Sequence, residues 1–192
     1  MDSSFYSDQY FYHTTSLENI SSILCEGLLP RDSTHRESIE EDLIAVATEK
    51  GINLAVDRRD CVFCHPSLSQ AVTPFELKTD DEEGLLGDRQ GIVVIDREKI
   101  TDEIFIGEYR LITDAITLQF KESPDEQMLA SSYKDALQRY ADSLIRISSL
   151  DTLENQCEQF ENPEIVIADT ISPQAIIGVF CDGHPLIEEY KQ

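Results

Sequence analysis

The sequence predicts an α+β fold. Two early helical patterns, several strands, one long helix and then strands again follow one another, without regular βαβ alternation. The chain has 192 residues, of which 41% are hydrophobic, enough for one domain spanning 1–192 with a substantial core. No composition shift, internal repeat or low-complexity tract divides it.

The first element lies in "FYHTTSLENISSILCEGLLP", from Phe11 to Pro30. Its aromatic opening reads as a strand. Ser16 reads as an N-cap, Gly27 as the residue past a helix end, and Pro30 follows soon after. Leu17, Ile20, Ile23 and Leu24 share one helical face, so this helix packs inward. His13, Thr14 and Thr15 fall at the strand end, where backbone and short polar groups converge and ligand sites often form. From the residues alone, His13 is either such a group or part of a turn.

Ser38 to Lys50 reads as a helix, with acids in its first turn and Gly51 after its end. "NLAVDRRDCVFCH" carries Arg58 and Arg59 into a short apolar strand around Val62 and Phe63. "PSLSQAV" reads as one helical turn or more. The acidic, Gly-containing stretch from Lys78 to Gln90 reads as a surface loop. "GIVVIDREKI" holds the clearest buried strand, Ile92 to Ile95, ended by Asp96. "EIFIGEYRLITDAITLQF" has strand-like pieces. Asp125 to Ile147 reads as the longest helix, with Leu129, Tyr133, Leu137, Tyr140 and Leu144 as a core stripe. "EIVIADT" and "IIGVFCD" read as two late strands joined by "ISPQA".

Charge narrows the functional classes. There are 38 acidic residues against 15 basic ones, for a formal net charge of −23. The acids are spread along the chain, and Arg outnumbers Lys. Such a surface suits the salt-rich cytoplasm of a halophile, where screening removes most self-repulsion. It argues against loose electrostatic binding to nucleic acid and leaves room for a local basic cleft. Met1 to Gln9 are polar and acidic, unlike a signal peptide, and no apolar run reaches the length of a membrane span. The five cysteines then read as reduced thiols in a cytoplasm. Cys61-x-x-Cys64 lacks a second paired motif, so inward-facing strand residues are the reading rather than zinc ligands. Gly84, Gly87 and Gly91 precede a strand instead of following one, so they do not form a dinucleotide fingerprint.

Three segments together resemble the ADP-ribosyltransferase superfamily. "YHTTSLENISSILCEGLLP" resembles its opening, where Tyr-His-x-Thr ends a strand and a helix leads to Gly-Leu. "GIVVIDREKI" is similar to its central strand. "NPEIVIADTISPQAIIGVFC" resembles its late strand pair, in which a Glu opens one strand. The pattern is most similar to the DarT family of DNA ADP-ribosyltransferase toxins, over Tyr12 to about Cys181. The resemblance implies a split mixed or antiparallel sheet with flanking helices.

It also implies that NAD is the substrate, split at its nicotinamide–ribose bond, with ADP-ribose passed to a macromolecular acceptor, nucleic acid among the candidates. Glu164 matches the catalytic Glu, whose carboxylate would stabilise an oxocarbenium-like transition state. His13, flanked by Thr14 and Thr15, matches the residue that holds the NAD ribose or amide region. An Arg would neutralise the NAD pyrophosphate or position the cofactor, and the Arg58–Arg59 pair is the candidate, with the choice between them open. In the poly-ADP-ribose branch a Ser-x-x-Tyr holds the nicotinamide. Here Ser69 stands with Val72 in place of that Tyr, which points to an Arg–Glu arrangement with Phe63 or Phe75 as a stacking face. The PxR segment of many DarT proteins is absent, so DNA specificity is not carried over. Toxins of this kind commonly pair with a neutralising macrodomain partner. The alternatives are a tRNA 2′-phosphotransferase-like activity, which needs more cationic clusters than this chain offers, and a degenerate member that binds NAD, ADP-ribose or protein. Beside these stand plainer roles: Glu164 as a solvated surface acid, His13 as a turn residue, and Arg58 and Arg59 as charges complementing a helix C-terminus.

Overall fold

The computed structural model describes residues 9–30, 34–71, 90–119, 126–149, 153–181 and 184–185. In chain order the elements are β1 (Tyr10–Ser16), α1 (Ile20–Glu26), α2 (Thr34–Lys50), β2 (Cys61–Cys64), β3 (Gln90–Asp96), β4 (Ile104–Glu108) and α3 (Tyr109–Gln119). There follow α4 (Glu126–Ser143), β5 (Ile145–Arg146), α5 (Leu153–Cys157), β6 (Pro163–Ala168), β7 (Ile176–Cys181) and β8 (His184–Pro185). Helices and strands are interspersed without regular βαβ alternation, and the registered strand pairs are antiparallel, compatible with an α+β fold. Val72, Phe75 and the acidic stretch over residues 78–89 lie outside the described residues.

The chain divides into two compact units. Unit one takes Met1–Leu29, Val62–Asp102 and Asp169–Gln192; unit two takes Pro30–Cys61 and Glu103–Ala168. Unit one is built on the strand order β1–β3–β7–β8. β3 lies between β1 and β7, and Ile92, Val93, Val94 and Ile95 are all buried, so both its faces are covered. That is why this strand reads as a continuous apolar run instead of an alternating one. β1 runs antiparallel beside it, with Phe11 opposite Ile95 and His13 opposite Val93. On one face Tyr12, Ile92 and Val94 pack with Ala71, which ends a helical turn at residues 68–71.

The start of α1 differs from expectation. Ser16 is still strand, its side chain makes no capping bond, and a 3₁₀ turn (Leu17–Asn19) precedes the helix. The end of α1 is as expected: Gly27 has φ 91°, a left-handed value that favours glycine. A Cβ there would lie 2.1 Å from the carbonyl oxygen of Ile171. This close approach lets Leu28 and Ile171 exchange backbone hydrogen bonds at 2.9 and 2.8 Å.

Unit two is built on β4, which is antiparallel to β6 on one side and β5 on the other. α2 begins at Thr34, earlier than Ser38. Within "EIFIGEYRLITDAITLQF" the strand is β4, and "YRLITDAITLQ" is the helix α3: Leu111, Ile112 and Ala115 form its buried face, so helical burial overrides the β-branched composition. α4 stops at Ser143, and Ile145–Arg146 leave it to pair with Ile106 and Phe105. The expected helix to Ile147 was therefore too long. α4 packs against α2 and α3, burying Leu137 and Tyr140 completely. The two late strands are not a pair: β6 belongs to the sheet of unit two and β7 to that of unit one. Among the described residues, no helix is long and apolar enough to cross a membrane.

Candidate functional site

Pro163 opens β6, so Glu164 is the second residue of a strand and is held there by its register opposite Gly107 of β4. Its side chain is buried, with the residue only 2% exposed. A carboxylate is removed from water at such a place only when it is paired and hydrogen-bonded. The partner is Arg58, itself 3% exposed, on a 3₁₀ turn (Arg58–Asp60). Arg58 Nη1 donates to Glu164 Oε1 at 2.8 Å, across 106 residues of sequence.

Two further side chains complete the cluster. Arg58 Nε donates to both carboxylate oxygens of Glu40 on α2, each at 3.1 Å, and Glu40 is 3% exposed. Tyr140 of α4 donates its hydroxyl to Glu164 Oε1 at 2.6 Å and accepts a bond from Arg58 Nη1. The Arg58 Cζ lies 4.5 Å from the Tyr140 ring centroid, so cation–π attraction adds to the hydrogen bonds. One guanidinium thus serves two carboxylates, and a phenol shares one of them. Such a network orients Glu164 tightly, because each group limits the rotamers of the others.

Arg59 is not part of this arrangement. It is exposed and pairs with its neighbour Asp57, donating from Nε at 3.0 and 3.2 Å. The Arg59 guanidinium holds the Asp57 carboxyl below the usual carboxylate range, and Asp57 Oδ1 also accepts from the Arg59 backbone N–H to start the turn. The geometry therefore separates two residues that the sequence left equivalent. Neither lies in the last turn of α2, where Lys50 is the basic residue, so neither complements that helix end.

The remaining sequence-predicted residues lie in unit one. His13 is half-buried on β1, and its Nδ1 is 2.7 Å from the Phe63 carbonyl oxygen. A carbonyl only accepts, so Nδ1 carries the proton and donates. Thr14 Oγ1 donates to the Ala71 carbonyl at 3.4 Å, and the buried Thr15 hydroxyl accepts from Asn19 Nδ2 at 3.4 Å. Ser69 is exposed and lies 3.1 Å from Ser67, hydroxyl to hydroxyl. Phe63 is half-buried on β2. His65 follows, bridged through its backbone to Tyr12; burial first, and then the neighbouring His13, push its imidazole down to about 4. Burial likewise pushes the Cys61 thiol up to about 12 and raises that of Cys64, which disfavours the thiolate a metal or an electrophile would require.

Glu40 and Tyr140 escaped the reading of the sequence. Tyr140 belongs to the apolar stripe of α4 and looks like core alone. A signal did exist: Gly107 interrupts the strand "IFIGE", and a strand glycine often marks a close approach. A Cβ at Gly107 would sit 3.0 Å from Tyr140 Oη and 3.2 Å from its Cε2 and Cζ. Elsewhere in unit two, a depression of about 270 Å³ is lined by Glu108, Arg110, Leu111, Asp114, Arg139 and Glu161. It contains none of the sequence-predicted site residues, and Arg110 there is clamped by Glu161.

No family model matches the chain, and no curated protein matches it. A solved structure named EcPltA aligns over 93% of this chain and 76% of its own, at 13% identity and a TM-score of 0.37. A likeness at that level carries no argument for fold or activity.

Proposed function

We propose that the chain has the ADP-ribosyltransferase fold and splits NAD at the nicotinamide–ribose bond, passing ADP-ribose to a macromolecular acceptor. One observation carries the reading. Glu164 and Arg58, the latter one of the two arginines between which the resemblance left the choice open, are hydrogen-bonded side chain to side chain at 2.8 Å. In this mechanism Glu164 is the catalytic residue. Its carboxylate stabilises positive charge as the C–N bond breaks and the bonding pair leaves with nicotinamide. The acceptor nucleophile then adds to the ribose carbon and loses its proton. Arg58, held by Glu40, is a positioning residue rather than a pyrophosphate ligand. The NAD-holding role of His13, Thr14, Thr15, Phe63 and Ser69, the nucleic-acid class of acceptor, a macrodomain antitoxin and a cytoplasmic setting rest on the resemblance and the composition alone.

A second reading has its own support. Glu164 is only 2% exposed, as befits a structural ion network in a degenerate member that binds NAD, ADP-ribose or protein without turnover. Incubation with NAD at high salt separates the two. The enzymatic reading expects nicotinamide release by the wild type. It also expects Glu164→Gln to fold, bind NAD and lose roughly 100- to 1,000-fold in turnover, the scale for one preorganised electrostatic group. Release retained within a few-fold in the variant removes Glu164 from the mechanism. Saturable NAD binding with no release by the wild type establishes the binding reading instead.

A further inference from the structure

We propose that Tyr140 is a positioning residue for Glu164, acting through its hydroxyl, and that Gly107 exists to seat it; this rests on the enzymatic reading above. Tyr140 is completely buried, on a helix whose other buried residues include Ala136, Leu137 and Ala141. A phenol in such a place needs a partner for its O–H. Its partner is the carboxylate oxygen that Arg58 also uses, at 2.6 Å. The hydroxyl accepts from Arg58 and donates to Glu164, so it links the cation to the acid as well as touching each. Gly107, opposite Glu164 in the β4–β6 register, leaves the space that the ring fills. Among the described residues, Glu40 from α2, Arg58 from its turn, Tyr140 from α4 and Glu164 itself from β6 are charged or titratable groups of the cluster, and β4 contributes Gly107.

A hydrogen bond donated to a carboxylate favours its ionised form. Losing the donor therefore makes protonation of Glu164 easier and moves the acid side of the activity profile to higher pH. The experiment measures nicotinamide release from NAD by the full chain across pH and NAD concentration. Rates are expressed per folded molecule, with the folded fraction taken from a melt in the same buffer. Tyr140→Phe keeps the ring and its contact with Arg58. It is expected to lower kcat about 10-fold, the scale for one positioned hydrogen bond to a charged group, with KM within about twofold and the acid limb moved to higher pH. Gly107→Ala keeps every polar group but crowds the ring, and is expected to shift kcat and the acid limb in the same direction. It decides the matter should Tyr140→Phe fail to fold. An unchanged kcat per folded molecule with an unmoved acid limb overturns the inference and makes Tyr140 simple packing. A wild type that releases no nicotinamide removes the enzymatic reading and this inference together, and is seen before any variant is made.

Discussion

Arg58 lies between Glu40 and Glu164 with its side chain 2% exposed, whereas the side chain of Arg59 is 48% exposed beside Asp57. Adjacent in sequence, they face opposite energetics. A surface pair gains little Coulomb energy against solvent and salt. A buried pair also contributes little net stability, but removing one member strands the other. Arg58→Ala takes the guanidinium away from two buried carboxylates, Glu40 and Glu164, and is expected to cost about 3–5 kcal/mol in urea unfolding. Arg59→Ala is expected to leave the unfolding midpoint unchanged. A cost below about 1 kcal/mol for Arg58→Ala would show that the carboxylates find water or a proton easily, and that the cluster is not the rigid unit described.

The elements meet through a few enforced close approaches. The end of α1 turns at Gly27 so that Leu28 can bridge Ile171, and both constraints on Gly27 act at once: a left-handed φ and a carbonyl 2.1 Å from any Cβ. Gly51, past the end of α2, shares the left-handed φ at 69° but has open space around it. The pair separates backbone strain from steric clash. Gly51→Ala is expected to cost about 1 kcal/mol, the conformational part alone. Gly27→Ala is expected to cost about 2–4 kcal/mol, because the bridge to Ile171 must also open. Denaturant midpoints for both variants check this, and equal costs would mean that the Ile171 segment moves aside freely.

Over the whole molecule, the governing quantity is the net charge of −23. Even with every base engaged in an ion pair such as Arg110–Glu161 or Arg146–Glu103, the excess of 38 acids over 15 bases stays uncompensated. Self-repulsion is long-ranged at 0.1 M salt, where the screening length is about 10 Å, and short-ranged at 1 M, where it is about 3 Å. The melting temperature is therefore expected to rise by several degrees between 0.1 and 2 M potassium chloride. A melt that is highest at low salt would contradict both this account and a halophilic setting.

The sequence by itself determined the α+β class, the central strand Ile92–Ile95, the Gly27 turn and the strand position of Glu164. Each of these is written in local terms: an unbroken apolar run, a glycine at a helix end, a proline before β-branched residues. It also carried the choice of Arg58, Arg59 and Glu164 as residues of interest, but through resemblance rather than through any local signal. Tertiary structure alone decided which arginine meets Glu164, because burial separates neighbours that share the same composition and charge. It alone brought in Glu40, which reads only as one of the acids in a helix's first turn, and Tyr140, whose helical periodicity shows that it faces inward but not what it faces. It also placed β6 and β7 in separate sheets and made "YRLITDAITLQ" a helix, overriding β-branched propensity with the burial of Leu111, Ile112 and Ala115. The physical reason is common to all of these. Periodicity and turn chemistry act over a few residues, whereas a hydrogen bond spanning 106 residues exists only once the chain has folded around it.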